Sequence, residues 1–121
     1  MAVVAYTKDS MIPSVWGNNA VVYTWAAMNT GDTGEPLGGP GFTDASYQIT
    51  GTFGGATVTV EGSNDGTNYV TLVDPFNVAL SFTSAALAQV LPIVRWIRPK
   101  VSGGAGVSVT VTAVHCNHMY N

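Results

Sequence analysis

The sequence predicts an all-β fold, an antiparallel β-sandwich of jelly-roll-like form with about eight strands. Apolar and polar residues alternate in several segments, and turn-forming residues recur between these segments. Only the segment from Ser84 to Val90 has a pattern that a short helix could adopt. A chain of 121 residues is long enough for one domain with one core and too short for two.

Four segments alternate regularly, which places successive side chains on opposite faces of a strand. They are residues 45–53, 56–61, 78–83 and 107–113. Less regular strand candidates are residues 2–7, 20–28, 69–73 and 94–101. Gly54-Gly55 predicts a two-residue hairpin turn, and the glycine-rich segment 102–106 predicts another hairpin turn. Ser63-Asn64-Asp65-Gly66 predicts a further reversal of the chain.

The first third of the chain differs from the rest. Residues 31–41 contain five glycines and two prolines, which predicts a loop too flexible or kinked to pair in a sheet. We therefore expect residues 1–43 to form an irregular N-terminal arm with a Gly/Pro-rich loop. Residues 44–121 are expected to form the sandwich core, within a single domain of residues 1–121.

Charged residues are scarce, at 9% of the chain against roughly 25% in an ordinary soluble domain. The net charge of −3 argues against binding to nucleic acid or to an anionic membrane surface. Polar residues interrupt the long uncharged runs, so no transmembrane helix is expected. A single cysteine and the lack of a secretion-signal pattern at Met1 predict synthesis in a reducing cytosol.

Candidate catalytic chemistry is confined to His115, Cys116 and His118 near the end of the chain. Their spacing suits neither paired zinc ligands nor a helical His pair, and chain termini are commonly loosely held. We expect a tail that faces solvent or a neighbouring subunit, with no enzyme activity, no catalytic residue, no metal and no cofactor. Asp65 lies in a segment that superficially resembles a calcium loop, but a tight turn accounts for its neighbours.

The predicted contact residues are aromatic or cationic. Arg95, Arg98 and Lys100 with Trp96 form either a contact stripe or a strand whose long side chains lie along the sheet edge. The remaining aromatic candidates are either interface anchors or core residues, and they are Trp16, Tyr23, Trp25 and Tyr120. The solvent-facing positions of the predicted strands carry Thr and Ser, whereas those of a monomer usually carry Lys and Glu. This difference favours a homo-oligomer.

The segment GTFGGATVTVEGSNDGTNYVTL at residues 51–72 resembles tailed-phage head decoration, or cement, proteins of the β-sandwich type. The segments LSFTSAAL at 80–87, VRWIRPKVSGG at 94–104 and the final Thr/Val strand at 107–113 share this resemblance. The resemblance implies a virion protein made in the host cytoplasm and bound to the outer capsid surface. There it would clamp neighbouring major capsid protein subunits and so stabilise the capsid, with a trimer favoured.

A second resemblance supports an alternative. The segment EGSNDGTNYVTL is similar to the strand-turn-strand of discoidin-like carbohydrate-binding sandwiches. This resemblance implies that Trp16, Trp25 or Trp96 of the present chain would stack on a sugar. A glycan contact through the loop at 62–68 is thus left open for either protein class. Flat Thr arrays would suit an ice-binding protein, but the chain has no repeat of fixed period.

Overall fold

The computed structural model describes residues 2–10, 19–38, 44–92 and 94–117. Within these residues the structure consists of strands joined by turns and loops, and it contains no helix that could span a membrane. The strands are β1 Val3–Val4, β2 Thr7–Ser10, β3 Asn19–Met28, β4 Thr33–Gly34, β5 Leu37–Gly38, β6 Asp44–Thr52, β7 Thr57–Ser63, β8 Val70–Thr71, β9 Ser81–Phe82, β10 Ala86–Gln89, β11 Trp96–Ser102 and β12 Ser108–Asn117.

The strands form two sheets that enclose one apolar core. The five-stranded sheet has the order β10-β6-β12-β3-β2, and the seven-stranded sheet has the order β1-β4-β11-β7-β8, with β5 beside β11 and β9 beside β7. Among the described residues, all strand pairs are antiparallel except β1 with β4. The predicted all-β antiparallel sandwich is therefore confirmed.

Alternation correctly identified the inward faces of three long strands. The buried side chains of β6 and β12 pair across the sheet, as with Tyr47 opposite Ala113 and Ile49 opposite Val111. Val58 and Val60 fill the facing side from β7. Burying an apolar side chain of this size contributes roughly 1.5–3 kcal/mol, so these faces supply much of the driving force for folding.

The described part of the first third is not an arm. β3 lies between β12 and β2, and its Trp25 and Met28 are completely buried. The alternation there is irregular because of a β-bulge, in which Ala26 and Ala27 stand opposite the single residue Thr110. Ala27 adopts a left-handed conformation, with φ of 55°, and this turns Met28 back into the core. An added residue in the strand, rather than an arm, explains the irregular pattern.

The Gly/Pro-rich segment pairs in a sheet, contrary to the prediction. β4 and β5 both lie against β11. Gly34 is needed there for space, since a Cβ would lie 2.5 Å from Pro99 Cδ and 2.7 Å from Trp25 Nε1. The glycine thus permits close packing of the two sheets. Residues 39–41 of this segment lie outside the described residues.

Two glycine turns connect the sheets instead of closing hairpins. Gly54 and Gly55 both have positive φ and form the predicted tight turn, closed by Ala56 N donating to Phe53 O at 2.8 Å. However, β6 before this turn and β7 after it belong to opposite sheets. The turn at 102–106 likewise leads from β11 to β12 in the other sheet. The hairpin interpretation of both turns was wrong, because turn residues specify a reversal and not its pairing partner.

Two further elements differ from their predictions. The segment Ser84 to Val90 contains strand β10 rather than a helix, because its backbone pairs with the edge of β6. The alternating segment 78–83 forms only the short strand β9, and Val78 is exposed while Leu80 is buried.

The position of β3 makes a prediction about stability. Replacing Trp25 with Ala should lower the free energy of unfolding by about 3–5 kcal/mol, because the change leaves a cavity between the sheets. Urea unfolding followed by far-UV circular dichroism measures this loss. Phe76→Ala is the control, since Phe76 is 88% exposed and its replacement should cost less than about 0.5 kcal/mol. An equally small loss for Trp25→Ala would contradict the buried position of β3.

Candidate functional site

An open groove lies where β11 begins, at one end of the seven-stranded sheet. It has a volume of about 480 Å³ and is bordered by the loop between β7 and β8 and by the short link between β4 and β5. This volume is within the range of ordinary small-molecule sites. The lining residues are Glu35, Pro36, Asp65, Gly66, Tyr69, Arg95 and Trp96.

Asp65 organises the loop that forms one wall of this groove. Its Oδ1 accepts hydrogen bonds from Asn68 N, Thr67 N and Ser63 Oγ, each at 2.8 Å, and its Oδ2 accepts one from Asn68 Nδ2 at 2.7 Å. These bonds, first among them those from Asn68, hold the pKa of Asp65 well below its usual range. The carboxylate therefore fixes the loop in place, as the predicted turn requires.

Trp96 is one of two aromatic residues that line the groove, together with Tyr69. In the sheet it stands between Gly38 of β5 and Ser63 of β7. A Cβ at Gly66 would lie 3.3 Å from Trp96 Nε1, and one at Gly38 would lie 3.8 Å from its Cζ3. Because its neighbours are small, the indole is only half buried and borders the groove.

The two predicted arginines have different surroundings. Arg98 Nε donates to Glu61 Oε1 at 3.1 Å, and the Arg98 guanidinium carbon lies 3.8 Å from the centre of the Tyr69 ring. The Arg95 guanidinium carbon lies 5.6 Å from the Trp96 ring centre, and within the described residues this guanidinium makes no hydrogen bond or ion pair. Arg98 is thus part of the framework, whereas the Arg95 side chain can interact with a bound molecule.

Tyr23 and Trp25, which the sequence also predicted as contact residues, do not join this site. Tyr23 and Trp25 are 5% and 0% exposed, so the interface interpretation of these two residues was wrong and the core interpretation is correct. Tyr6 packs edge-on against both rings, with centroid distances of 5.3 and 5.9 Å. Trp16 and Tyr120 lie outside the described residues.

His115 is a core residue and not part of an exposed tail. It is 3% exposed in β12, and its Nε2 shares a hydrogen bond of 3.0 Å with Tyr47 Oη, whose donor depends on the imidazole tautomer. Burial lowers the pKa of His115 from 6.5 to about 4, and burial also raises the pKa of Tyr47 well above 10.0. The signal was present in the sequence, since position 115 continues the inward parity of Val111 and Ala113.

The prediction that the C-terminal segment faces solvent or a neighbouring subunit is therefore wrong at His115. Burial, followed by the Asp44 carboxylate, raises the pKa of the Cys116 thiol, which makes it a weaker nucleophile. Among the residues that the structure describes, no group of three or more His, Cys, Asp or Glu side chains could hold a metal ion. His118 lies outside that part of the chain.

A second surface feature is an exposed apolar turn at residues 74–78. Asp74 Oδ1 accepts hydrogen bonds from Phe76 N and Val78 N, each at 2.9 Å, so the turn is held rigidly. Phe76 and Val78 are exposed at 88% and 58%. Leu91 N donates to Val73 O at 2.9 Å and places another exposed apolar side chain near this turn. Sequence reasoning missed this feature because it assigned Val78 to a buried strand face.

The comparisons with known proteins show the fold. No family model and no curated protein matches the sequence. The SPBc2 prophage-derived protein YomS has a similar structure, with a TM-score of 0.70 and 14% identity over 88% of this chain and 99% of that one. Carbohydrate-binding module CBM6cm-2 from Cellvibrio mixtus lichenase 5A has a TM-score of only 0.35 and 11% identity, over 95% of this chain and 88% of that one.

The buried imidazole makes a prediction about acid stability. Between pH 6.5 and about 4 the unfolded chain binds a proton at His115 that the folded chain excludes. The free energy of unfolding should therefore fall as the pH falls through this window, by up to about 3 kcal/mol. Urea unfolding at several pH values measures the slope. His115→Gln should flatten the slope above about pH 5, and an unchanged slope in this variant would assign the effect to other groups.

Proposed function

We propose that the chain is a structural protein of a phage virion that binds the outer surface of the capsid. In this proposal it clamps neighbouring major capsid protein subunits and has no catalytic activity. The observation that carries the proposal is the fold shared with a prophage-derived protein over nearly the whole of both chains. The resemblance of residues 51–72 to decoration proteins supports the more specific assignment to the capsid surface.

The outer face of the five-stranded sheet is suited to contact with another protein. Two rows of outward residues cross this sheet from one edge to the other, and Asp9 is the charged residue in them, while Asp44 lies opposite Cys116 in the adjacent row. We call this surface the neutral face. Its rows are Thr7, Thr24, Thr112, Gln48 and Leu87, and Asp9, Val22, Val114, Ser46 and Gln89.

The neutral face can be covered at low electrostatic cost. Hydroxyl and amide groups find hydrogen-bond partners across an interface more readily than isolated charges do, and their desolvation costs less. On its outer side the opposite sheet carries Lys100 and the ion pair between Arg98 and the buried Glu61, so covering that side would require the charge of Lys100 to be desolvated. We therefore assign capsid contact to the neutral face.

The clamping mechanism is thermodynamic. A protein that binds the assembled lattice but not its separated subunits stabilises the lattice by mass action. Three copies acting as a homotrimer would span more than one capsid subunit at once and so link them. The rigid apolar turn at 74–78 adds an exposed aromatic anchor of the kind that dominates many interfaces.

A new charge on the neutral face should prevent capsid binding. Thr112→Glu should weaken binding to expanded capsids assembled without this protein by at least about tenfold, because the carboxylate must be desolvated. Co-sedimentation measures the bound fraction. Thr59→Glu is the matched control, since Thr59 is an equally half-buried outward residue on the opposite sheet. Equal binding by the two variants would exclude the neutral face, and no binding by the unmodified chain would refute the capsid role.

The proposed trimer makes a separate prediction. Light scattering of the purified chain should give a mass three times that of the 12.6 kDa chain. A monomer at every concentration would contradict the trimer while leaving capsid binding to be decided by the sedimentation experiment.

A further inference from the structure

The groove at Trp96 has a stacking platform that the described residues leave half exposed. Small residues flank the indole on both neighbouring strands, and Gly66 approaches its Nε1 edge. Arg95 lies over the ring at 5.6 Å, compared with 3.8 Å for the closely packed Arg98 and Tyr69. Since no hydrogen bond within the described residues ties the Arg95 guanidinium, it can move aside at little cost.

Polar groups of both charges lie around this platform. Glu35 is exposed, and its Oε1 accepts one long hydrogen bond of 3.3 Å from Tyr6 N. Its backbone is fixed because Trp25 Nε1 donates to Glu35 O at 3.1 Å. The Glu35 carboxylate and the Arg95 guanidinium can therefore accept from and donate to a ligand at the same time.

The charge balance of the groove selects the class of ligand. Arg95 is opposed by the carboxylates of Glu35 and Asp65, so a phosphate or an acidic ligand meets repulsion as well as attraction. The Asp65 oxygens already accept four hydrogen bonds from the loop. An uncharged molecule with an apolar face for the indole and adjacent hydroxyls for a carboxylate and a guanidinium fits these groups best. A sugar ring has this chemistry.

The groove is also organised before any ligand arrives. The Asp65 hydrogen bonds fix the loop between β7 and β8, and Asn64 Oδ1 accepts from Arg95 N at 3.0 Å. Little backbone ordering is thus needed on binding, which reduces the entropic cost.

We propose that this groove binds a neutral oligosaccharide, with one ring stacked on Trp96 and its hydroxyls hydrogen-bonded to Arg95 and Glu35. The groove belongs to the seven-stranded sheet, and the neutral face proposed for capsid contact belongs to the five-stranded sheet. The proposal therefore does not rest on the capsid role. It assigns a second binding activity to the same chain, which is compatible with a particle that also contacts a glycan.

The test uses the full chain on an array of neutral and acidic glycans, followed by calorimetric titration. The titrated probes are neutral trisaccharides of glucose, galactose, mannose and N-acetylglucosamine, and one sialylated trisaccharide. We expect a dissociation constant below about 10 mM for at least one neutral probe. Trp96→Ala should weaken binding at least about tenfold, and Trp96→Phe should retain part of it. Glu35→Gln should also weaken binding, because it removes a charged acceptor.

Matched controls distinguish sugar binding at this site from nonspecific binding and from the effects of unfolding. Phe76→Ala removes an exposed aromatic residue at another place and should leave sugar binding unchanged. Thermal unfolding followed by circular dichroism shows whether each variant is folded, and Trp96→Ala should still co-sediment with capsids if that role is correct. The absence of binding to any neutral probe, a preference for the acidic probe, or equal binding by folded Trp96→Ala would overturn the proposal.

Discussion

The packing of Trp25 against the opposite sheet is the contact on which the rest of the architecture depends. The indole extends from β3 in one sheet to the β4 backbone in the other, where only the hydrogen atom of Gly34 leaves room for it. Its Nε1 donates to Glu35 O, so a completely buried side chain positions an exposed groove residue. The same contact therefore closes the core, holds the Gly/Pro-rich segment in the sheet and shapes one wall of the groove.

The two sheets present surfaces of different chemistry because their outward residues differ in charge. On the seven-stranded sheet, Arg98 is neutralised by Glu61 and covered by Tyr69, whereas Trp96, Arg95 and Glu35 at the groove can interact with a bound molecule. The outward residues of the five-stranded sheet are mostly hydroxyl, amide and aliphatic groups, with Asp9 and Asp44 as carboxylates among them. A sheet surface with few charges suits broad contact with protein, whereas a groove with an aromatic platform suits a small ligand.

Polar groups inside the sandwich are partnered rather than exposed. Tyr47 and His115 share a hydrogen bond between neighbouring strands, and burial keeps the imidazole neutral at physiological pH. No buried side-chain nitrogen or oxygen among the described residues lacks a hydrogen-bond partner. This buried hydrogen-bonded pair helps to fix the register of β12, whose other buried side chains are the aliphatic Val109, Val111 and Ala113.

The sequence by itself determined the all-β class, the inward faces of β6, β7 and β12, and the turn around Asp65, because alternation and turn chemistry act over a few residues. Only the tertiary structure decided which sheet a strand joins after a turn, as at Gly54. It also decided that the bulge at Ala27 returns Met28 to the core and that Trp96 borders a groove. Each of these depends on a partner distant in sequence, and local periodicity carries no information about such partners.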